Sequence, residues 1–297
     1  MSFKVNMVNI LGKALDFQIN YENRVKEAVN YLKKQLNEKP VFGLVLGSGL
    51  GELSSKVKNK KVIDYSKIPN FPKSKVPGHE GKLIIGNIND IPVIALKGRK
   101  HYYEVAHYPM NVGMLNVVFP VHVLASLGVE NYFVTNSAGA LNLKYKIGDI
   151  MLLKSHLSFL PNPLLGINYF KTELFQPMNS CYDLNLRKLF LKSNFRYKKN
   201  IHEGNYLAVT GPSYETEAEC VFYRDFLKAD AVGMSTVPEV IVARNRRMKV
   251  IGFSCITNVI KKDGTNATSH EEVQNILNSE KIKERLNNMI LNFFKNY

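Results

Sequence analysis

The stretch Val41-Phe42-Gly43-Leu44-Val45-Leu46-Gly47-Ser48-Gly49-Leu50-Gly51 decides the fold. A short apolar run closed at once by a glycine-rich turn reads as a strand buried on both faces, as in a parallel sheet. Just upstream, Val25, Ala28, Val29, Leu32 and Leu36 share one face of a helical pattern over 21–37, which stops before Pro40. Downstream, runs of similar length and β-branched content predict strands over 83–88, 92–97, 132–135, 149–153, 206–209 and 250–256. Helical patterns lie between them at 110–127, 216–227 and 238–247, with Pro238 suited to a first turn and Thr236 as its cap. Ser269 and Glu272 predict a capping box that opens a last helix. Strands alternating with helices argue for a single α/β domain over 1–297, its central sheet mixed but largely parallel and flanked by helices. Ligands of such sheets bind beyond the carboxyl ends of the strands.

Composition sets the outer bounds. The chain has 297 residues, 45% hydrophobic and 22% charged, a globular balance that excludes wholesale disorder, collagen and coiled coil. Its formal charge of +15 comes from 31 Lys and 9 Arg spread along the sequence, densest at Lys56, Lys58, Lys60 and Lys61. A diffuse Lys excess reads as a solvated surface with a general attraction for anions, rather than as a nucleic-acid face. The most apolar stretch, 112–129, contains Asn116 and His122 and so reads as a buried helix, because a membrane span needs roughly 20 nearly uninterrupted apolar residues. No signal-peptide pattern opens the chain, and Cys181, Cys220 and Cys255 form no CxxC, so a reducing, cytoplasmic setting is expected.

The unusual short motifs sit just after predicted strands, and several familiar chemistries fail on them. The dinucleotide fingerprint needs glycine where Glu52 stands, and no Lys-Ser or Lys-Thr completes a phosphate loop of the Walker type. No Gly-x-Ser-x-Gly elbow surrounds Ser48, Ser137, Ser213 or Ser235. His270-Glu271 lacks a second histidine at Gln274, and Glu104-x-x-His107 has no second copy, so neither a metal nor a cofactor is expected. What remains is a glycine turn carrying Ser48, and Arg99 close to His101. Turn N–H groups form an anion nest and Arg grips phosphate through two bonds. The pattern points to a bound phosphate, free or part of a nucleotide.

The ordered motifs Gly47–Gly51, Gly78-His79-Glu80-Gly81, Gly98–Glu104, Thr135–Gly139, Gly211–Thr216, Val232–Glu239, Thr257-Asn258 and His270–Val273 resemble those of the trimeric purine nucleoside phosphorylases. That resemblance runs from about Tyr21 to the last helix. It implies a nucleoside phosphorylase fold, a homotrimer, and cleavage of purine nucleosides by inorganic phosphate as co-substrate. It places phosphate on Ser48, His79, Arg99, His101, the Ser137 backbone and Ser235. The sugar falls to Tyr103, Met234, His270 and Phe175, the last from a neighbouring subunit. The base falls to Glu215 and Asn258, with Tyr214 packing on the ring. Catalysis is assigned to Asn258, which bonds N7 and O6, and to His101 with Glu104. Asn258, where the related methylthioadenosine phosphorylases carry Asp, favours inosine and guanosine over adenosine. Two departures stand out: Val259, where many members carry Lys, and the stretch 161–170. Substrate partners alone are expected, with no nucleic acid and no membrane.

Overall fold

The computed structural model describes residues 2–47, 51–74, 76, 80–109, 111–266 and 268–297, the side chains of 2–8, 51, 52 and 270 excepted. Its strands are β1 (Phe42–Leu46), β2 (Lys58–Asp64), β3 (Lys82–Ile88), β4 (Ile91–Lys97), β5 (Asn131–Ala140), β6 (Ile150–Ser158), β7 (Ile201–Ala208), β8 (Ala231–Gly233) and β9 (Lys249–Val259). They form one sheet in the order β2-β3-β4-β1-β5-β8-β7-β6-β9. A further pairing of β9 with β5 closes the last five strands into a ring.

The two-sided burial expected of β1 and β5 is what builds the core. Along β5, Tyr132 and Val134 point into one apolar cluster and Phe133 into the other. The first cluster is covered by α2 (Tyr21–Lys33), α3 (Val112–Ser126) and α6 (Val237–Asn245). The second is covered by α4 (Leu184–Ser193), α7 (His270–Asn278) and α8 (Glu280–Asn296). Phe133 meets Phe253 and Phe293 at centroid distances of 5.8 and 5.4 Å. Burial of one such ring contributes about 2–3 kcal/mol. Gly47 ends β1 because the strands converge there: a Cβ would lie 2.7 Å from the Thr135 carbonyl oxygen. Two further helices are α1 (Ser2–Ile19) and α5 (Glu217–Asp225). No helix among the described residues is long and apolar enough to cross a membrane.

Several expectations are corrected. The sheet is mixed, as expected, but its parallel share is smaller than expected. β1–β4, β1–β5, β5–β9, β6–β7 and β7–β8 run parallel, while β2–β3, β3–β4, β5–β8 and β6–β9 run antiparallel. The β3–β4 turn explains one reversal: Asn89 and Asp90 both take positive φ (46° and 64°), as a two-residue hairpin requires. β2 holds Lys58, Lys60 and Lys61 of the lysine run, exposed as the surface reading expects. It is an edge strand, and exposed lysines there discourage pairing with another chain. Thr236 does not cap α6: its φ is 76° and its side chain makes no cap bond, although Pro238 does sit in the first turn. The Ser269–Glu272 capping box is present, with Glu272 N–H donating to Ser269 Oγ at 3.1 Å and Ser269 N–H to Glu272 Oε2 at 2.9 Å.

Candidate active site

The carboxyl ends of β4, β5 and β9 meet the short β8 at one end of the sheet. There a cleft of about 820 Å³, its open mouth included, is lined by residues of β5, β8 and β9 and of the segment that follows β4. β4 leads into Arg99, His101 and Tyr103, and β5 contributes Asn136 to Gly139. β8 runs into Met234 and Ser235, and β9 carries Thr257 and Asn258. Tyr214 and Glu215 come from the turn before α5, and Val273 from the first turns of α7.

One end is a donor cage. Arg99 is 6% exposed and its Nη1 donates to the Thr135 carbonyl at 2.7 Å and to Ser235 Oγ at 3.4 Å. Behind it, Nε lies 3.2 Å from Glu239 Oε2, and the Tyr132 hydroxyl donates to Glu239 Oε1 at 3.2 Å. A buried ion pair of this kind serves orientation: it holds the guanidinium where the cleft needs a cation. Glu104 does not line the cleft. It accepts from the His101 N–H at 2.8 Å and faces His101 Nδ1 at 3.3 Å, and Lys100 Nζ and Ser74 Oγ hold it from behind. The contact at Nδ1 fixes the orientation of the ring. Tyr103 stacks on His101 at 5.0 Å, and burial, with the Glu104 charge second, pushes its hydroxyl up to about 12.

The opposite end carries an amide and a carboxylate. Asn258 stands opposite Gly139 in the β5–β9 ladder, at a register shift that turns its side chain. Glycine is needed opposite: a Cβ on Gly139 would lie 3.0 Å from Asn258 Nδ2. Asn258 is 9% exposed, and its Nδ2 donates to Asn266 Oδ1 at 3.0 Å while its Oδ1 accepts from the Thr257 hydroxyl at 3.1 Å. Burial raises the Glu215 carboxyl above its ordinary 4.5, its own backbone N–H offsets part of this, and Glu219 adds to it. Burial also raises the Tyr214 hydroxyl.

The structure thus brings together Arg99, His101, Ser137, Ser235, Tyr103, Met234, Tyr214, Glu215 and Asn258. Ser48 and His79 lie outside the described residues, as does the His270 side chain, although His270 opens α7 beside the cleft. Phe175 is 87% exposed and does not line this chain's own cleft. Sequence reasoning missed Glu239, Asn136 and Thr257, which sat inside the quoted motifs but had been given no role. It also missed Asn266, for which no local signal existed. Among the described residues no group of three His, Cys, Asp or Glu side chains is placed to hold a metal.

A family model described as the phosphorylase superfamily matches residues 41–295. Purine nucleoside phosphorylase 1 of Bacillus subtilis is 43% identical over 264 residues, covering 88% of this chain and 94% of that protein. The Bos taurus purine nucleoside phosphorylase is 42% identical, covering 84% and 86%. Among solved structures, isoform 2 of the Schistosoma mansoni enzyme with cytosine and ribose-1-phosphate aligns with a TM-score of 0.83 at 36% identity, covering 92% of this chain and 95% of that one. The Schistosoma mansoni enzyme in complex with inosine aligns at 0.80 and 34% identity, covering 90% and 95%. The chain belongs to the phosphorylase superfamily and, within it, to the purine nucleoside phosphorylases.

Proposed function

We propose that the protein cleaves purine nucleosides, chiefly inosine, guanosine and their 2′-deoxy forms, with inorganic phosphate, releasing the base and a pentose 1-phosphate. One observation carries this: a single cleft holds a donor cage at one end and a carboxamide with a carboxylate at the other. Phosphate sits on Arg99, Ser235, His101 and the Ser137 backbone, with Ser48 and His79 completing the cage. Glu239 sets the guanidinium, and Glu104 sets His101. The ribose lies against Tyr103 and Met234, with His270 near its 5′-hydroxyl.

As the glycosidic bond breaks, the sugar becomes cationic and the purine anionic. The phosphate dianion stabilises the sugar from below, and Asn258 stabilises the base through N7 and O6. Each preorganised donor of this kind contributes a factor of ~10²–10³ in rate. Glu215 accepts from N1–H and, in guanine, from the 2-amino group. The enzyme works as a single-domain cytoplasmic homotrimer without a cofactor, and the exposed Phe175 closes the sugar site of a neighbouring subunit.

The test is base release from inosine with and without phosphate. Release that requires phosphate and yields ribose 1-phosphate supports the reading. Release at the same rate without phosphate makes the protein a hydrolase and overturns it.

A further inference from the structure

The donor cage is supported by a residue that helix patterning treats as a cap. Thr236 sits at the centre of a γ-turn, with φ 76° and ψ −51°, and the Val237 N–H donates to the Ser235 carbonyl at 2.8 Å. A β-branched residue in that region is strained, and such strain is retained where the surroundings over-determine it. Thr236 is 1% exposed. Its Oγ1 lies 2.8 Å from Asn136 Nδ2 and 3.1 Å from Ser235 Oγ.

Counting protons gives this chain a direction. An amide nitrogen only donates, so Thr236 Oγ1 accepts from Asn136. The proton of Thr236 is buried and needs an acceptor. Among the described residues the remaining oxygen within hydrogen-bond reach is Ser235 Oγ. Ser235 Oγ therefore accepts from Thr236, and it accepts from Arg99 Nη1 as well, at 3.4 Å. A hydroxyl oxygen has two lone pairs, and both are then engaged. The proton of Ser235 is then left to point toward the cleft that Ser235 lines or toward the Tyr206 hydroxyl beside it. The buried Tyr206 hydroxyl faces Ser235, yet it has no partner in hydrogen-bond geometry among the described residues.

We propose that Thr236 is a positioning residue that makes Ser235 an obligate hydrogen-bond donor, so that the cage accepts an unprotonated phosphate oxygen at that point. The inference rests on the reading of the Arg99 end as the phosphate seat. Asn136 is the origin of the chain: it sets Thr236, which sets Ser235.

The experiment compares Thr236→Val, Thr236→Ser and Asn136→Ala by steady-state phosphorolysis of inosine, varying each substrate in turn. Valine keeps the volume and the β-branch but removes the proton. The phosphate KM of Thr236→Val should rise about tenfold, the worth of one hydrogen bond to an anion. Its inosine KM, and its kcat at saturating phosphate, should stay within about twofold. Thr236→Ser keeps the hydroxyl and should keep the wild-type phosphate KM. Asn136→Ala should raise the phosphate KM by a smaller factor, and it carries the test with Thr236→Ser if the valine variant does not fold. An unchanged phosphate KM in Thr236→Val or Asn136→Ala overturns the proposal. So does an equal rise in the valine and serine variants, or an inosine KM that rises in step. Wild-type protein that releases no base with phosphate present overturns the underlying reading instead.

Discussion

Glu239 stands behind the guanidinium of Arg99, with both side chains 5% exposed. Glu239→Gln keeps the size and an oxygen for the Tyr132 hydroxyl but removes the negative charge. Removing one partner of a buried pair leaves an uncompensated ion, at a cost of about 3–5 kcal/mol. Unfolding entropy of about 2.1 cal/mol/K per residue over 297 residues comes to ~0.6 kcal/mol/K. The melting temperature should therefore fall by ~5–8 °C. Phosphate returns a counter-charge to Arg99. Ligand at a hundredfold its Kd stabilises by about 2.7 kcal/mol in the wild type. The variant should gain more once its site is filled, so the gap between the two melting curves should narrow as phosphate is added. Circular dichroism melts with potassium chloride at matched ionic strength as the control read this directly. A variant that melts within 2 °C of wild type, or a gap that phosphate leaves unchanged, would refute the assignment of Glu239 as the support of the cation.

Further expectations follow from the base end. Asn258→Ala should lose a factor of ~10²–10³ in kcat with inosine, and wild-type turnover in that variant counts against its role. Asn266→Asp leaves only acceptors beside Asn258 Nδ2, so the ratio of kcat/KM for inosine over adenosine should fall; a ratio unchanged from wild type removes Asn266 from specificity. Burial raises the Glu215 carboxyl, so the folded protein binds that proton more tightly than the unfolded chain does. Stability from this group is present at low pH and lost as pH rises through the raised value. Guanosine binding runs the other way: KM should climb as pH falls through it, and Glu215→Gln should flatten that climb. Gly139→Ala pushes a methyl group to 3.0 Å from Asn258 Nδ2, and it should lower kcat with little change in phosphate KM.

Much of the core was legible because it obeys local rules. The runs at 42–46 and 131–135 are apolar on both faces because both faces of β1 and β5 are covered. Two helices escaped notice for the opposite reason. α1 keeps Ile10, Leu11, Leu15 and Ile19 exposed, and α4 buries only Leu186 and Phe190. The Asp183 cap of α4, which accepts from the N–H groups of Asn185 and Leu186 at 2.9 Å each, was the one local sign. β8 is three residues long, too short for any periodicity to register.

The sequence by itself determined the alternation of strands and helices, the glycine turns at strand ends, and the residue types at the cleft, because each is written in neighbours a few positions apart. Only the tertiary structure decided the ring closed by β5 and β9, the Glu239 support of Arg99, the Asn266 contact and the twist that turns Thr236 toward Ser235. Those depend on partners such as Asn136 and Thr236, which are 100 positions apart in the chain. Hydrogen bonds and ion pairs act over a few ångströms, so they exist only once the chain has brought such distant segments together.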